Sequence, residues 1–243
     1  MSTPPLFLLP SLPADEPPFE VVLDGAEGHH AARVRRLHAG EAIWLGDGFG
    51  GVLRGSVAAV ERDRVRVAVA SRSQQPQPSP RLVVVQAVPK SDRVEITLEL
   101  LTELGVAEIV PWRAARCVGQ WKDDRSPGKW RRTVAEAAKQ SRRPWVPVVA
   151  EPASTAAVAR RIADAASTVV LHESASTDLP ALSAPDGDVL VVVGPEGGIA
   201  DEELDAFELA GAHLVRLGGP VLRTSSAGAA ALAALSVRLG RWG

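Results

Sequence analysis

The sequence predicts a small β domain followed by an α/β domain with a mainly parallel sheet. Three observations carry this. Residues 1–73 hold short β-like runs separated by glycine turns. The stretch Gln74-Gln75-Pro76-Gln77-Pro78-Ser79-Pro80 has three prolines and no aliphatic residue, which suits a solvated, semi-extended connector. From residue 81 to 243, apolar runs alternate with helical patterns, the rhythm of an α/β layer sandwich. The predicted domains are therefore 1–73 and 81–243, joined by a linker over 74–80.

In the first domain, strands are expected at Glu20–Leu23, Glu41–Leu45, Gly51–Val60 and Arg64–Ala70. The last alternates Arg64, Val65, Arg66, Val67, Ala68 and Val69, a period of two with one wet face. Gly46-Asp47-Gly48 supplies a turn, and the set suggests a small antiparallel barrel. His29–Leu37 reads as a short helix. In the second domain, Leu82–Val88 is a strand buried on both faces. Ser91 is placed to cap a helix running to Leu104 and stopped by Gly105. Val106–Val110, Thr168–Leu171, Val189–Val193 and His213–Leu217 are further strands. Trp130–Ser141, Thr155–Ala166, Asp201–Leu209 (capped by Asp201) and Thr224–Leu239 are helices. The polar segment Gly119–Gly128 reads as a loop.

Composition narrows the function classes. Hydrophobic residues make up 46% of the chain and charged residues 23%, which excludes a mostly disordered protein. No apolar run approaches the length of a bilayer span, and the first residues lack the basic start and apolar core of a secretory signal. The single cysteine, Cys117, forms no internal disulfide and no zinc site by itself, so a reducing cytoplasm is expected. No His/Cys/Asp spacing supports a metal. A net charge of −2 argues against a protein that coats nucleic acid indiscriminately, but not against one basic patch.

In open α/β sheets, ligands bind beyond the carboxyl ends of the strands. Three loops leave such ends. The first begins at Leu171 and His172. The second is Gly194-Pro195-Glu196-Gly197-Gly198. The third is Leu217-Gly218-Gly219-Pro220-Val221-Leu222-Arg223, leading into a helix. The second loop can bring backbone groups close to a flat ligand. It is not a phosphate loop, since no Lys-Ser/Thr follows and its one charge is the Glu196 carboxylate. A cationic or neutral ligand suits it; a plain strand-to-helix turn would use the same residues.

Taken in order, Lys90 and Arg93, Glu103-Leu104-Gly105-Val106, Gln140 and Arg143, Gly194–Gly198, Leu217-Gly218 and Val221-Leu222-Arg223-Thr224 resemble the bacterial RsmE-type 16S ribosomal RNA uracil-N3 methyltransferases of the SPOUT superfamily. His30 with Arg33-Val34-Arg35-Arg36 resembles that family's N-terminal signature. The resemblance implies a PUA-like β-barrel for RNA, a trefoil-knotted α/β domain, S-adenosyl-L-methionine as cofactor, and a homodimer acting on the small ribosomal subunit. It implies that Leu171 and His172, Gly194, Pro195, Glu196, Gly197 and Gly198, and Leu217, Gly218, Val221, Leu222 and Arg223 hold the cofactor. This chain departs from the family where Ser225 replaces a frequent glutamate and Pro220 a frequent arginine.

For uridine N3 to attack a sulfonium methyl, its proton must leave. Arg223 is the candidate for stabilising the resulting anion and Glu196 for taking the proton or balancing the sulfonium. Arg33, Arg35, Arg36, Lys90, Arg93, Gln140, Arg142 and Arg143 are the candidate RNA contacts, with Lys139 grouped beside the last two. Two other readings stay open: a SPOUT enzyme acting on ribose 2′-O or guanine N1, and a non-catalytic RNA-binding assembly factor.

Overall fold

The structure, a computed structural model, describes residues 3–179 and 186–242. The chain packs as two units, residues 1–77 with 138–146, and residues 78–137 with 147–243.

The first unit is built on a five-stranded sheet in the order β1-β3-β4-β5-β2. Its strands are β1 (Leu6–Leu8), β2 (Phe19–Leu23), β3 (Ala42–Gly46), β4 (Gly51–Glu61) and β5 (Arg64–Gln74). Pairing is antiparallel except between β1 and β3, which run parallel, so the expectation of a small antiparallel barrel needs that one correction. β1 is a three-residue edge strand, too short to show a period. The alternation in β5 buries Val65, Val67 and Val69 against Leu23, Ile43, Leu45 and Leu53. β5 also runs through Gln74, the first residue of the proline-rich stretch. The expected helix at His29–Leu37 begins earlier, as α1 (Gly25–His29), and continues as a π-helical turn over His30–Val34.

Residues 138–146 complete this unit. Gly50 N–H donates to Pro144 O at 3.0 Å, Val146 N–H to Gly48 O at 3.0 Å, and the Trp145 indole to Gln75 O at 3.0 Å. Lys139, 7% exposed, pairs with Glu27 at 2.5 Å. That buried pairing removes Lys139 from the basic group expected to face RNA.

The second unit is an all-parallel six-stranded sheet, order β11-β9-β10-β6-β7-β8, with helices on its faces. Its strands are β6 (Leu82–Ala87), β7 (Glu108–Trp112), β8 (Val148–Val149), β9 (Ser167–Leu171), β10 (Val189–Val193) and β11 (His213–Val215). Every residue of β6, β7 and β10 is buried, which explains their unbroken apolar runs. Each fully buried Val or Leu contributes roughly 1.5–3 kcal/mol of transfer free energy.

The helices are α2 (Val94–Glu103), α3 (Ser126–Gln140), α4 (Thr155–Asp164), α5 (Asp201–Leu209) and α6 (Thr224–Arg238). Two expected caps are corrected. Ser91 lies in a turn closed by Arg93 N–H to Lys90 O at 2.8 Å, and α2 starts after Arg93. Asp201 is the first helical residue of α5, after Ala200. β7 lies two residues later than expected: Val106 N–H is still taken by Leu101 O in the turn that ends α2, and Ala107 N–H is the first to reach β6, at Leu82 O. α3 begins at Ser126, inside the segment read as a loop. Gly228 lets α6 lie close to the sheet: a Cβ there would meet Leu101, Val193 and Val84 at 3.0–3.5 Å. No helix among the described residues is long and apolar enough to cross a membrane.

Candidate functional site

Strand register puts the site together. Val215 of β11 lies beside Leu171 of β9, Leu171 beside Val193 of β10, and Val193 beside Gln86 of β6, which pairs with Pro111 of β7. Five strand ends are thus aligned, and the loops that leave them open on one cavity of about 820 Å³. That volume falls in the usual small-molecule range. Leu171, His172, Gly194, Pro195, Glu196, Gly197, Gly198, Leu217, Gly218, Val221, Leu222 and Arg223 all line it, as do Lys90 and Arg93.

Each loop has its own anchors. In the first, His172 N–H donates to Val215 O at 3.0 Å, and the ring Nδ1 lies 2.9 Å from Ser174 Oγ. The second is a turn closed by Gly198 N–H to Pro195 O at 2.9 Å, with Gly198 at φ +76°. Its other glycines serve the loop's own packing. A Cβ on Gly194 would lie 2.6 Å from Ile199 Cγ1, and one on Gly197 would lie 3.1 Å from Arg116 Cβ. In the third loop, Gly218 has φ +71°, and neither Gly218 nor Gly219 has an atom within 4 Å of where a Cβ would stand. Gly198 of the second loop meets only Arg116 Nη1 at 4.0 Å, so open glycine surface lies on both loops, most of it on the third. Arg223 ends this loop and its carbonyl accepts from Ser226 N–H and Ala227 N–H at 2.9 Å, which starts α6.

The cavity carries mixed charge. Its cations are Lys90, Arg93, Arg116, Arg216 and Arg223; its carboxylates are Asp92, Glu173, Glu196 and Asp201. Arg93 is tied to Asp92 at 3.7 Å, and Glu196 Oε1 accepts the Lys90 backbone N–H at 3.4 Å. Sequence reading missed two of these cations, Arg116 and Arg216. Arg116 lies beyond the carboxyl end of β7, so the strand-end rule finds it once β7 is carried through Trp112. Beside it, burial pushes the Cys117 thiol up, with the Glu196 and Glu203 carboxylates adding to the effect. No cluster of potential metal ligands occurs among the described residues.

The remaining RNA candidates lie in the first unit. Arg33, Arg35 and Arg36 are exposed on and after the π-helical turn, Arg33 bound to Asp63 at 2.8 Å. That hydrogen bond holds the exposed Asp63 carboxyl below its ordinary value. Gln140 ends α3; Arg142, at φ +55°, and Arg143 follow it, both part-exposed.

Comparison with known proteins gives first the class. The family described as RNA methyltransferase domain matches residues 75–236, and that described as RNA methyltransferase PUA domain matches residues 23–70. The chain is thus an RNA methyltransferase homologue with a PUA domain. It is 43% identical over 229 residues to ribosomal RNA small subunit methyltransferase E of Mycobacterium bovis, a match covering 91% of this chain and 87% of that protein. The chain belongs to the ribosomal RNA small subunit methyltransferase E (RsmE) family. Its structure is similar to that of the Neisseria gonorrhoeae ribosomal RNA small subunit methyltransferase E bound to S-adenosyl methionine. The TM-score is 0.86 at 26% identity, over 98% of each chain. It is also similar to the putative methyltransferase Lpg2936 of Legionella pneumophila in complex with SAM, with a TM-score of 0.84 at 27% identity over 97% of this chain and 98% of that one.

Proposed function

We propose that this chain transfers the methyl group of S-adenosyl-L-methionine to N3 of a uridine in the 16S ribosomal RNA of the small subunit. The observation that carries the reading is the register-aligned set of strand ends whose loops enclose one cavity, in a chain of the RsmE family. The cavity's residues fit the cofactor. Its volume suits a nucleoside-sized ligand. Gly218 and Gly219 leave a bare stretch of backbone for an aromatic ring. The Glu196 carboxylate suits a positive centre.

When bound, S-adenosyl-L-methionine supplies an electrophilic methyl group on a sulfonium. Leu171 and His172 line one side, Gly194–Gly198 a second, and Leu217, Gly218, Val221 and Leu222 present backbone amides to the adenine. Glu196 balances the positive charge or accepts the N3 proton. Arg223 stabilises the uracil anion. N3 lies on the pairing edge of the base, so the target must be unpaired or flipped out. Arg33, Arg35, Arg36, Gln140, Arg142 and Arg143 hold the RNA backbone, with Lys90 and Arg93 doing so near the cavity. Such a substrate places the work in the cytoplasm.

Two further points belong to this reading. The α/β unit is read as a trefoil knot on the chain's membership of the RsmE family, a rare exception to the rule that chains do not thread loops. The protein is read as a homodimer on the family resemblance, with Ile96 on α2, Val221 and Leu222 in the third loop and Val237 on α6 among the exposed apolar side chains available to a second copy. Light scattering should then give twice the 25.6 kDa chain mass.

The test is transfer of labelled methyl to small subunits from cells lacking the protein, followed by mapping of the modified nucleoside. 3-Methyluridine is expected. A ribose or guanine product would favour another SPOUT activity, and no incorporation would favour an assembly factor. In Arg223→Ala, methylation should fall far more than cofactor affinity.

A further inference from the structure

We propose that Arg116 is a second catalytic cation, which meets a carbonyl oxygen of the target uracil as N3 loses its proton. This rests on the methyl-transfer reading above.

The loop that carries Arg116 is held from several sides. Ala115 N–H donates to Glu203 Oε1 at 2.9 Å. The same buried carboxylate takes Ala200 N–H on Oε2 at 3.2 Å and the Thr155 hydroxyl on Oε1 at 2.8 Å. Cys117 N–H closes a turn on Ala114 O at 3.1 Å. Gly119 sits so close to the chain before α2 that a Cβ there would lie 2.1 Å from Pro89 O and 2.4 Å from Val88 O.

Between these anchors, Arg116 runs along the second loop. A Cβ on Gly197 would lie 3.1 Å from both Arg116 Cβ and Arg116 O, so the glycine makes room for the arginine. Nη1 donates to Ile199 O at 3.4 Å. That long bond is its one side-chain hydrogen bond, and it has no ion pair among the described residues. A guanidinium has five N–H donors. A rigidly based cation in a ligand-sized cavity, with most donors unused, is built to receive an anion.

The reaction has one developing anion suited to it. As the N3–H bond breaks, its proton passes to solvent or a cavity carboxylate, and negative charge spreads from N3 onto the two flanking carbonyl oxygens. The N3 lone pair forms the new N–C bond, and the C–S bond breaks with its electron pair going to sulfur. Arg223 on the third loop and Arg116 on the β7–α3 loop supply one cation for each oxygen. The attraction of Arg116 for a uracil oxygen is strongest once the base is anionic, because the oxygen then carries more negative charge. Such differential stabilisation raises turnover, not mere binding.

The test compares wild type, Arg116→Ala and Arg116→Lys for 3-methyluridine formation, with cofactor affinity measured by calorimetry. Arg116 is exposed and its backbone is held by other residues, so both variants should fold. In Arg116→Ala we expect turnover to fall roughly 100- to 1,000-fold, with cofactor affinity unchanged. The rising limb of the pH–rate profile should move to higher pH, because the base has lost a cation that eases its deprotonation. Arg116→Lys, or added guanidinium ion with Arg116→Ala, should restore part of the rate. Unchanged turnover overturns the proposal. So does a parallel loss of cofactor affinity, which would put Arg116 on the cofactor carboxylate, or a rise in the Michaelis constant for RNA alone, which would make it a phosphate contact. Absence of 3-methyluridine with the wild type would overturn the functional reading first, and this inference with it.

Discussion

Replacing Glu203 by alanine tests whether one buried carboxylate fixes two walls of the site. Glu203 is 6% exposed and accepts three hydrogen bonds, from Ala115 N–H, Ala200 N–H and the Thr155 hydroxyl. Bonds to a charged acceptor contribute about 1.5–3 kcal/mol each, but the sum is not the expected loss, because removing the carboxylate also removes its desolvation penalty. Ala115 is exposed, so its N–H regains water. Ala200 is 7% exposed and its N–H stays dry, costing about 1–3 kcal/mol. Adding about 1 kcal/mol for the Thr155 bond gives roughly 2–4 kcal/mol in total. For a chain of this length that corresponds to a fall in melting temperature of about 5–15 °C. Hydrogen exchange supplies the local reading: amides of Ala115 and Ala200 should lose protection together, and cofactor affinity should fall with them. Glu203→Gln keeps an acceptor and should cost about half as much. A Glu203→Ala protein within about 0.5 kcal/mol of wild type, the range of ordinary surface substitutions, with both amides still protected, would refute the reasoning.

Gly119→Ala forces a Cβ into two backbone carbonyls, so it should cost about 1–3 kcal/mol or more by overpacking and weaken methylation; chemical denaturation and the methyl-transfer assay check both. Because burial raises the Cys117 thiol, the neutral form dominates at pH 7. Its alkylation by iodoacetamide should be slower than that of a free thiol and should accelerate only at higher pH than usual. The Asp63 carboxyl is lowered chiefly by the Arg33 hydrogen bond, so its NMR titration midpoint should move up towards the ordinary aspartate value in Arg33→Ala. The depressed midpoint stabilises the folded state above the unfolded aspartate range, and that contribution is lost as pH falls through the folded midpoint. Glu108 accepts from Arg81 at 2.9 Å and Arg161 at 2.8 Å. Glu108→Ala should destabilise by about 2–4 kcal/mol, less than the full cost of breaking a buried pair because Arg161 reaches water; urea unfolding measures it.

The parallel strands were legible because burial on both faces forces an unbroken apolar run; β10 lies at Val189–Val193 as its sequence predicts. The three loops were legible for the same reason, since strand ends fix where ligands can sit. Elements without a period were not. β1 and β8, three and two residues long, are held by neighbours and not by pattern. The packing of residues 138–146 with the first unit leaves no local mark either, because its hydrogen bonds go to residues about 70–100 positions away, such as Gly48, Gly50 and Gln75. The glycines of the second loop were legible as necessary, but the reason differs. Gly194 and Gly197 make room for Ile199 and Arg116, side chains that local sequence cannot place beside them.

That difference changes what the second loop does. A loop whose glycines face open space adapts to a ligand. In the second loop Gly194 and Gly197 are filled by Ile199 and Arg116 of the same protein, and only Gly198 stays open. Two open glycines, Gly218 and Gly219, lie on the third loop, which shares no buried carboxylate with the Ala115–Ala200 frame. We expect a stiffer wall, carrying Arg116 and Glu196, and a more adaptable one, ending in Arg223, to be distinguished by hydrogen exchange of the two loops. Catalysis by charge placement needs the first, and entry of a bulky nucleoside needs the second. Stiffening the third loop should therefore slow cofactor exchange, whereas loosening the second should slow chemistry.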